Sequence, residues 1–176
     1  MPGPASAWPR RPPPGVAVVD APVSGGGPAA ERGELLVMVG GDGAVAERCR
    51  PVFETFGGPV VHLGTLGAGQ RAKLVNNLLF AANLGVAESA FALARGLGVD
   101  PGALSTVLAH GSGGSFGTNM LGGLEGHTLA PLGPFAGALL RKDARLVVDL
   151  ALAAGAEPGT VLDAADAALK SMGHLR

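Results

Sequence analysis

The chain has 176 residues, 47% of them hydrophobic and 15% charged, with 30 glycines, 14 prolines and a formal net charge of −1. That is enough apolar material for a real core in one domain or one and a half. The near-neutral balance, with basic residues scattered and little aromatic interleaving, gives no electrostatic case for nucleic acid or an anionic membrane surface. One cysteine, Cys49, excludes an intrachain disulfide and a cysteine zinc cluster and suits a reducing, cytoplasmic setting. His62, His110, His127 and His174 lie far apart, so no metal is expected.

Residues 1–15 carry six prolines, with Arg10 and Arg11, and have no hydrophobic signal core, so they read as a disordered or extended leader. Val16–Asp20 reads as a short buried strand, followed by a loop from Ala21 to Pro28. Leu35–Val39 is a second strand, closed by Gly40-Gly41-Asp42. A helix is expected over Ala44–Phe56 and a third strand over Pro59–Leu63.

After Gly67 the pattern turns helical, over Ala72–Gly98, Pro101–His110, Phe135–Ala154 and Pro158–Met172. Asp100 before Pro101 makes a good helix start, and Gly98, Gly111 and Gly155 make good stops. Gly111–Asn119 reads as a flexible glycine-serine loop. The aromatic share is 4% and tyrosine is absent, so the helices are expected to pack closely through Ala, Leu and Val. No apolar run reaches the roughly 20 residues of a bilayer-spanning helix without polar interruption. The organisation is thus a leader (1–15), a three-strand piece (16–66) and a helical part (67–176).

Two stretches carry chemistry. In Gly67-Ala68-Gly69-Gln70-Arg71-Ala72-Lys73-Leu74-Val75-Asn76-Asn77 a glycine turn opens a helix, and Lys73 and Asn77 share one face. A lysine withheld from water has its pKa lowered, which suits a general acid or base; the same spacing also fits a snorkelling lysine beside two surface amides. In Asp20-Ala21-Pro22-Val23-Ser24-Gly25-Gly26 a serine hydroxyl and successive backbone N–H groups after a strand end can form a carboxylate-binding nest, or an ordinary glycine turn. Lys142-Asp143, within an apolar helix, is either part of a solvated face or a cofactor contact.

Two G-x-G-x-x-A spacings, Gly25–Ala30 and Gly67–Ala72, are rejected as dinucleotide fingerprints. After the first, the next strand comes too soon for a crossover helix; after the second, no strand follows and Glu88 falls mid-helix. A G-x-S-x-G nucleophile elbow around Ser24 also fails, because the residues are Pro22-Val23-Ser24-Gly25-Gly26.

Taken together and in this order, Asp20-Ala-Pro-Val-Ser-Gly-Gly, Met38-Val-Gly-Gly, Gly67-Ala-Gly-Gln-x-Ala-Lys73-x-x-Asn76-Asn77 and Leu140-x-Lys142-Asp143 resemble the β-hydroxyacid dehydrogenase family, which includes 3-hydroxyisobutyrate dehydrogenase and tartronate semialdehyde reductase. The resemblance runs from about Val16 to Leu169. It implies an α/β remnant, the last three strands of a Rossmann-type cofactor domain, followed by an all-α domain like the C-terminal domain of 6-phosphogluconate dehydrogenase.

The resemblance further implies an oxidoreductase using NAD or NADP on a small 3-hydroxy acid or its semialdehyde. Lys73 is then the catalytic acid/base, and Asn77 with Ser24, Gly25 and Gly26 binds substrate. Lys142 touches the cofactor, with Asp143 orienting it. A homodimer or homotetramer is implied as well. The N-terminal Rossmann half with its G-x-G-x-x-G turn is absent, and the sequence stops where relatives carry a further helical tail, so a fragment or misassigned start is expected. The alternative is a non-catalytic helical dimerisation or interaction module left by loss of the cofactor domain.

Overall fold

The structure, a computed structural model, describes residues 12–176. The expectation of a disordered leader falls, for residues 1–11, outside the described residues. The chain forms two compact units, one reaching to Lys73 and the other running from Leu74 to Arg176.

The first unit holds a three-stranded sheet in the order β1 (Val23–Ser24), β2 (Leu35–Val39), β3 (Gly57–His62). Helix α1 (Gly26–Arg32) links β1 to β2, and α2 (Gly43–Phe53) links β2 to β3. β2 and β3 run parallel, so β2-α2-β3 is a βαβ crossover. Asp42 starts α2 by accepting from the Val45 N–H at 3.0 Å. Val37, Val39 and Ala46 are buried between sheet and helix, packed by Val19, Ala21, Val23, Phe53 and Val60.

The expected first strand lies further along the chain than Val16–Asp20. Its pairing is antiparallel to β2, with Asp20 opposite Gly40, Val23 opposite Val37 and Ser24 opposite Leu36. Between them the Met38 N–H donates to the Pro22 carbonyl at 2.9 Å. Pro22 has no N–H to return, so the ladder breaks into an isolated bridge and a two-residue strand. Val16 stays half exposed. α1 stands where a loop was expected; its three leading residues include two glycines, poor helix formers, and Gly33 closes it in the left-handed conformation at φ 67°.

In the second unit α3 (Ala68–Gly96) supplies the central wall from its Leu74 end onward. It buries Leu78, Ala81, Ala82, Leu84, Ala87, Phe91 and Ala94, close to the i, i+3, i+4 rhythm of one face. Around it stand α4 (Pro101–His110), α5 (Phe116–Gly122), α6 (Ala138–Ala154) and α7 (Thr160–Ser171). Leu121, Leu129, Leu140, Ala144, Ala165, Ala168 and Leu169 complete the core. The expected reliance on small residues holds at Gly85, where a Cβ would lie 2.6 Å from the Ala164 carbonyl oxygen of α7, and at Gly117, where it would lie 3.1 Å from the Asn83 Cβ.

Three expectations are corrected in this unit. The glycine-serine stretch is not loop throughout. Ser115 accepts from the Thr118 N–H at 3.1 Å while the Thr118 hydroxyl takes the Ser115 N–H at 2.6 Å, and this reciprocal cap starts α5. The helix expected from Phe135 begins as a wide π turn, Gly133–Gly137, before α6 proper. By length and composition α3 is also apolar enough to cross a bilayer, with 29 residues and a mean hydropathy of 1.3 in its best window, despite its polar interruptions. Part of that apolarity lies in the core, where 44% of the window is buried.

Candidate functional site

Asp20 anchors the start of α3. Its carboxylate accepts from the backbone N–H groups of Gly67 and, at 2.7 Å, of Gln70, taking up amides that the first turn of a helix leaves without partners. The fit needs two residues without side chains. A Cβ at Gly40 would lie 2.4 Å from Asp20 Oδ1, and one at Gly69 would lie 2.3 Å from the Met38 carbonyl oxygen. Asp20→Ala leaves these amides without their acceptor, and we expect a loss of about 1–3 kcal/mol in urea unfolding; an unchanged midpoint would contradict this role.

Ser24 ends β1 and is partly buried, with no side-chain hydrogen bond among the described residues. Gly25 and Gly26 follow with φ of 128° and 67°, a left-handed pair that a Cβ would strain. At Gly25 the Cβ would also lie 2.5 Å from the Ala29 Cβ. No side-chain hydrogen bond caps α1, and Gly25, Gly26 and Gly27 are exposed.

Lys73 and Asn77 stand one turn apart on α3, both partly buried. The second unit brings three of the expected site residues together. Asn77 Nδ2 donates to Asp143 Oδ2 at 2.7 Å, and Lys142 Nζ lies 3.3 Å from Asp143 Oδ1. Asp143 is 5% exposed, whereas the Lys142 side chain is 63% exposed. An amide oriented toward a carboxylate must offer its NH₂, because the carboxylate only accepts. The Asn77 Oδ1 takes a bond from Asn76 Nδ2 at 3.3 Å, which leaves one Asn77 N–H to offer. A buried carboxylate is tolerated only when paired and hydrogen-bonded, so Asp143 locks Asn77 and tethers the exposed Lys142.

Glu88, noted in the sequence only for sitting mid-helix, accepts from the Leu129 N–H at 2.7 Å and pins the segment after α5 to α3. His62 and His174 bond to the carbonyls of Gly41 (2.8 Å) and Gly133 (3.0 Å), and His127 stacks on Phe91 with ring centroids 4.6 Å apart.

The glycine turns bear on a dinucleotide. The turn before α3 is filled by the Asp20 carboxylate. A third G-x-G-x-x-A spacing, Gly41-Asp42-Gly43-Ala44-Val45-Ala46, was missed in the sequence although it lies inside the βαβ crossover, and there the Asp42 carboxylate occupies the helix start. A carboxylate where a pyrophosphate would sit repels it, so neither turn is a phosphate cradle. Lys142 presents an exposed ammonium, a group of the kind that can bond a phosphate or a ribose hydroxyl.

The described residues thus carry a serine-glycine turn in the first unit and, in the second, an Asn77–Asp143 pair whose carboxylate is buried and which the exposed Lys142 flanks. Residues 67–174 match the family model described as "NAD-binding of NADP-dependent 3-hydroxyisobutyrate dehydrogenase", and residues 13–64 match "NAD binding domain of 6-phosphogluconate dehydrogenase". A probable 3-hydroxyisobutyrate dehydrogenase of Mycobacterium tuberculosis is 36% identical over 166 residues, covering 86% of this chain and 54% of that protein. The 2-(hydroxymethyl)glutarate dehydrogenase of Eubacterium barkeri is 37% identical over 143 residues, covering 81% and 46%.

Among solved structures, the Mycobacterium tuberculosis 3-hydroxyisobutyrate dehydrogenase with L-serine superposes with a TM-score of 0.72 at 35% identity, covering 86% of this chain and 54% of that one. A 3-hydroxyisobutyrate dehydrogenase from Salmonella typhimurium gives 0.69 at 26% identity, covering 88% and 60%. The chain belongs to the β-hydroxyacid dehydrogenase family. It spans about half the length of the curated relatives it matches.

Proposed function

We propose that this chain works as an NAD- or NADP-dependent dehydrogenase acting on a small 3-hydroxy acid, or in reverse on its semialdehyde. The observation that carries the reading is the Asn77–Asp143–Lys142 cluster, in which a buried carboxylate orients an amide donor and an exposed cation side by side. Relatives named as dehydrogenases of hydroxy acids support the substrate class.

On this reading Ser24 and the backbone of Gly25 and Gly26 hold the substrate carboxylate, and the remaining Asn77 N–H bonds the substrate. Lys73, as the neutral amine, takes the hydroxyl proton as the carbinol carbon is oxidised. Lys142 holds the cofactor and Asp143 holds Lys142. NAD or NADP, when bound, supplies the hydride acceptor. The test is a turnover screen of small 3-hydroxy acids with NAD⁺ and NADP⁺. Reduction of either dinucleotide that depends on one of these acids supports the reading, and its absence across the panel from folded protein counts against it.

A homodimer or homotetramer in a reducing, cytoplasmic setting belongs to the same proposal. Val75, Leu79, Val86 and Leu93 are each more than half exposed along α3, the last three spaced by seven residues, a stripe suited to a second helix. We expect Leu93→Glu to lower the mass found by light scattering; an unchanged oligomer, or a wild-type monomer, would count against it. The same stripe also favours the second reading, a helical interaction module without catalysis. That reading predicts a folded oligomer to which no dinucleotide binds.

A further inference from the structure

We propose that His174 is a positioning residue for the Asn77–Asp143–Lys142 cluster: its ring fixes the wide turn from which α6 starts, and so sets the rotation at which Asp143 meets Asn77. The chain after α7 is aimed by backbone geometry. The Gly173 N–H donates to the Lys170 carbonyl at 3.0 Å and the His174 N–H to the Leu169 carbonyl at 2.8 Å, with Gly173 left-handed at φ 79°. This paired closure at a helix end fixes the direction that the backbone takes at His174.

That direction leads onto the Gly133–Gly137 turn. His174 Nε2 lies 3.0 Å from the Gly133 carbonyl oxygen, so the ring carries its proton there and donates. The ring lies against the backbone of Gly137, where a Cβ would sit 2.1 Å from His174 Cδ2, and the Met172 carbonyl oxygen would lie 2.3 Å from a Cβ at Gly133. Both glycines are buried.

α6 continues directly from this turn: Gly137 is already helical and carries no side-chain cap, so the winding of the turn sets the phase in which α6 starts. A π turn carries more residues per turn than an α-helix, and rewinding it as α would rotate α6 by a fraction of a turn relative to what precedes it. Asp143 lies six residues after Gly137, and its 2.7 Å bond to Asn77 does not survive such a rotation.

The importance of this for catalysis rests on the dehydrogenase reading, but the test does not. It follows the Asn77 side-chain NH₂ signals by NMR in ¹⁵N-asparagine-labelled protein without any ligand, and measures thermal unfolding in parallel. His174→Ala is expected to raise hydrogen exchange of the Asn77 amide by about tenfold or more, as its bond to Asp143 opens. His174→Gln, which can still donate to Gly133, is expected to restore much of the protection. Gly137→Ala, which displaces the ring while keeping the histidine, should reproduce the loss if His174→Ala fails to fold.

Ser115→Ala removes the α5 cap and serves as a control for general destabilisation; it should leave the Asn77 signals in place. Unchanged Asn77 signals in a folded His174→Ala or Gly137→Ala protein would overturn the inference, as would equal loss of protection in Ser115→Ala. A failed dinucleotide titration bears on the dehydrogenase reading alone.

Discussion

Replacing Lys73 by alanine is expected to lower kcat for the preferred 3-hydroxy acid by about 10²–10⁴-fold while KM changes far less, the pattern of a group that acts on the proton in flight rather than on the bound substrate. Lys73→Arg should not rescue the rate, because a guanidinium stays protonated at any working pH and cannot act as the base. The far-ultraviolet circular dichroism should match the parent chain, since the substitution leaves alanine, a good helix former, within α3. Steady-state kinetics with saturating dinucleotide decide the matter. Full activity in Lys73→Ala would remove Lys73 from the chemistry and leave its place beside Asn77 as packing.

The largest effect on stability is expected at Gly85. Its Cβ position is 2.6 Å from the Ala164 carbonyl oxygen, 3.1 Å from the Ala168 amide nitrogen and 3.2 Å from the Ala168 Cβ. Two of those three neighbours are backbone atoms of α7, which cannot rotate away as a side chain can. Gly85→Val must therefore push α3 and α7 apart through the centre of the core that holds Phe91, Leu84 and Leu169. We expect a cost of about 3 kcal/mol or more and a fall in Tm of at least about 6–12 °C. The helix-propensity gain of leaving glycine, about 0.5 kcal/mol, is too small to offset it. A Tm within a few degrees of the parent would mean that the two helices do not approach as closely as Gly85 requires.

Local signals carried much of the fold. Asp100 before Pro101 marked α4, whose Asp100 carboxylate accepts from the Ala103 N–H at 2.8 Å. The apolar run at Leu35–Val39 marked the central strand, and Gly155 closed α6 with φ 65°. Misplacements occurred where local and tertiary preferences diverge. Val16–Asp20 has the composition of a strand, but pairing is set by the partner, and β2 meets Asp20–Ser24 instead. In Gly111–Asn119 the glycines suggested flexibility and hid the Ser115–Thr118 cap, because threonine stands where the usual capping pattern has glutamate or glutamine.

The site residues were named from motif order, but the contacts that hold them were not legible. Asn77 and Asp143 are 66 residues apart, and no periodicity announces that an amide on α3 will meet a carboxylate on α6. Asp20 and Gln70 are 50 apart, and the aspartate that opens the serine-glycine motif serves a helix start elsewhere in its own unit. Charges and amides in apolar helices are visible in a sequence; their partners are a property of the packing.

The most direct test of the dehydrogenase reading is a fluorescence titration of the purified, folded chain with NADH and with NADPH. The account predicts saturable binding of at least one of them, weakened by Lys142→Ala, whose exposed ammonium is assigned to the cofactor and whose loss should leave the fold intact. No binding of either dinucleotide by the folded protein would contradict it, and the helical interaction module would become the better description of what this chain does.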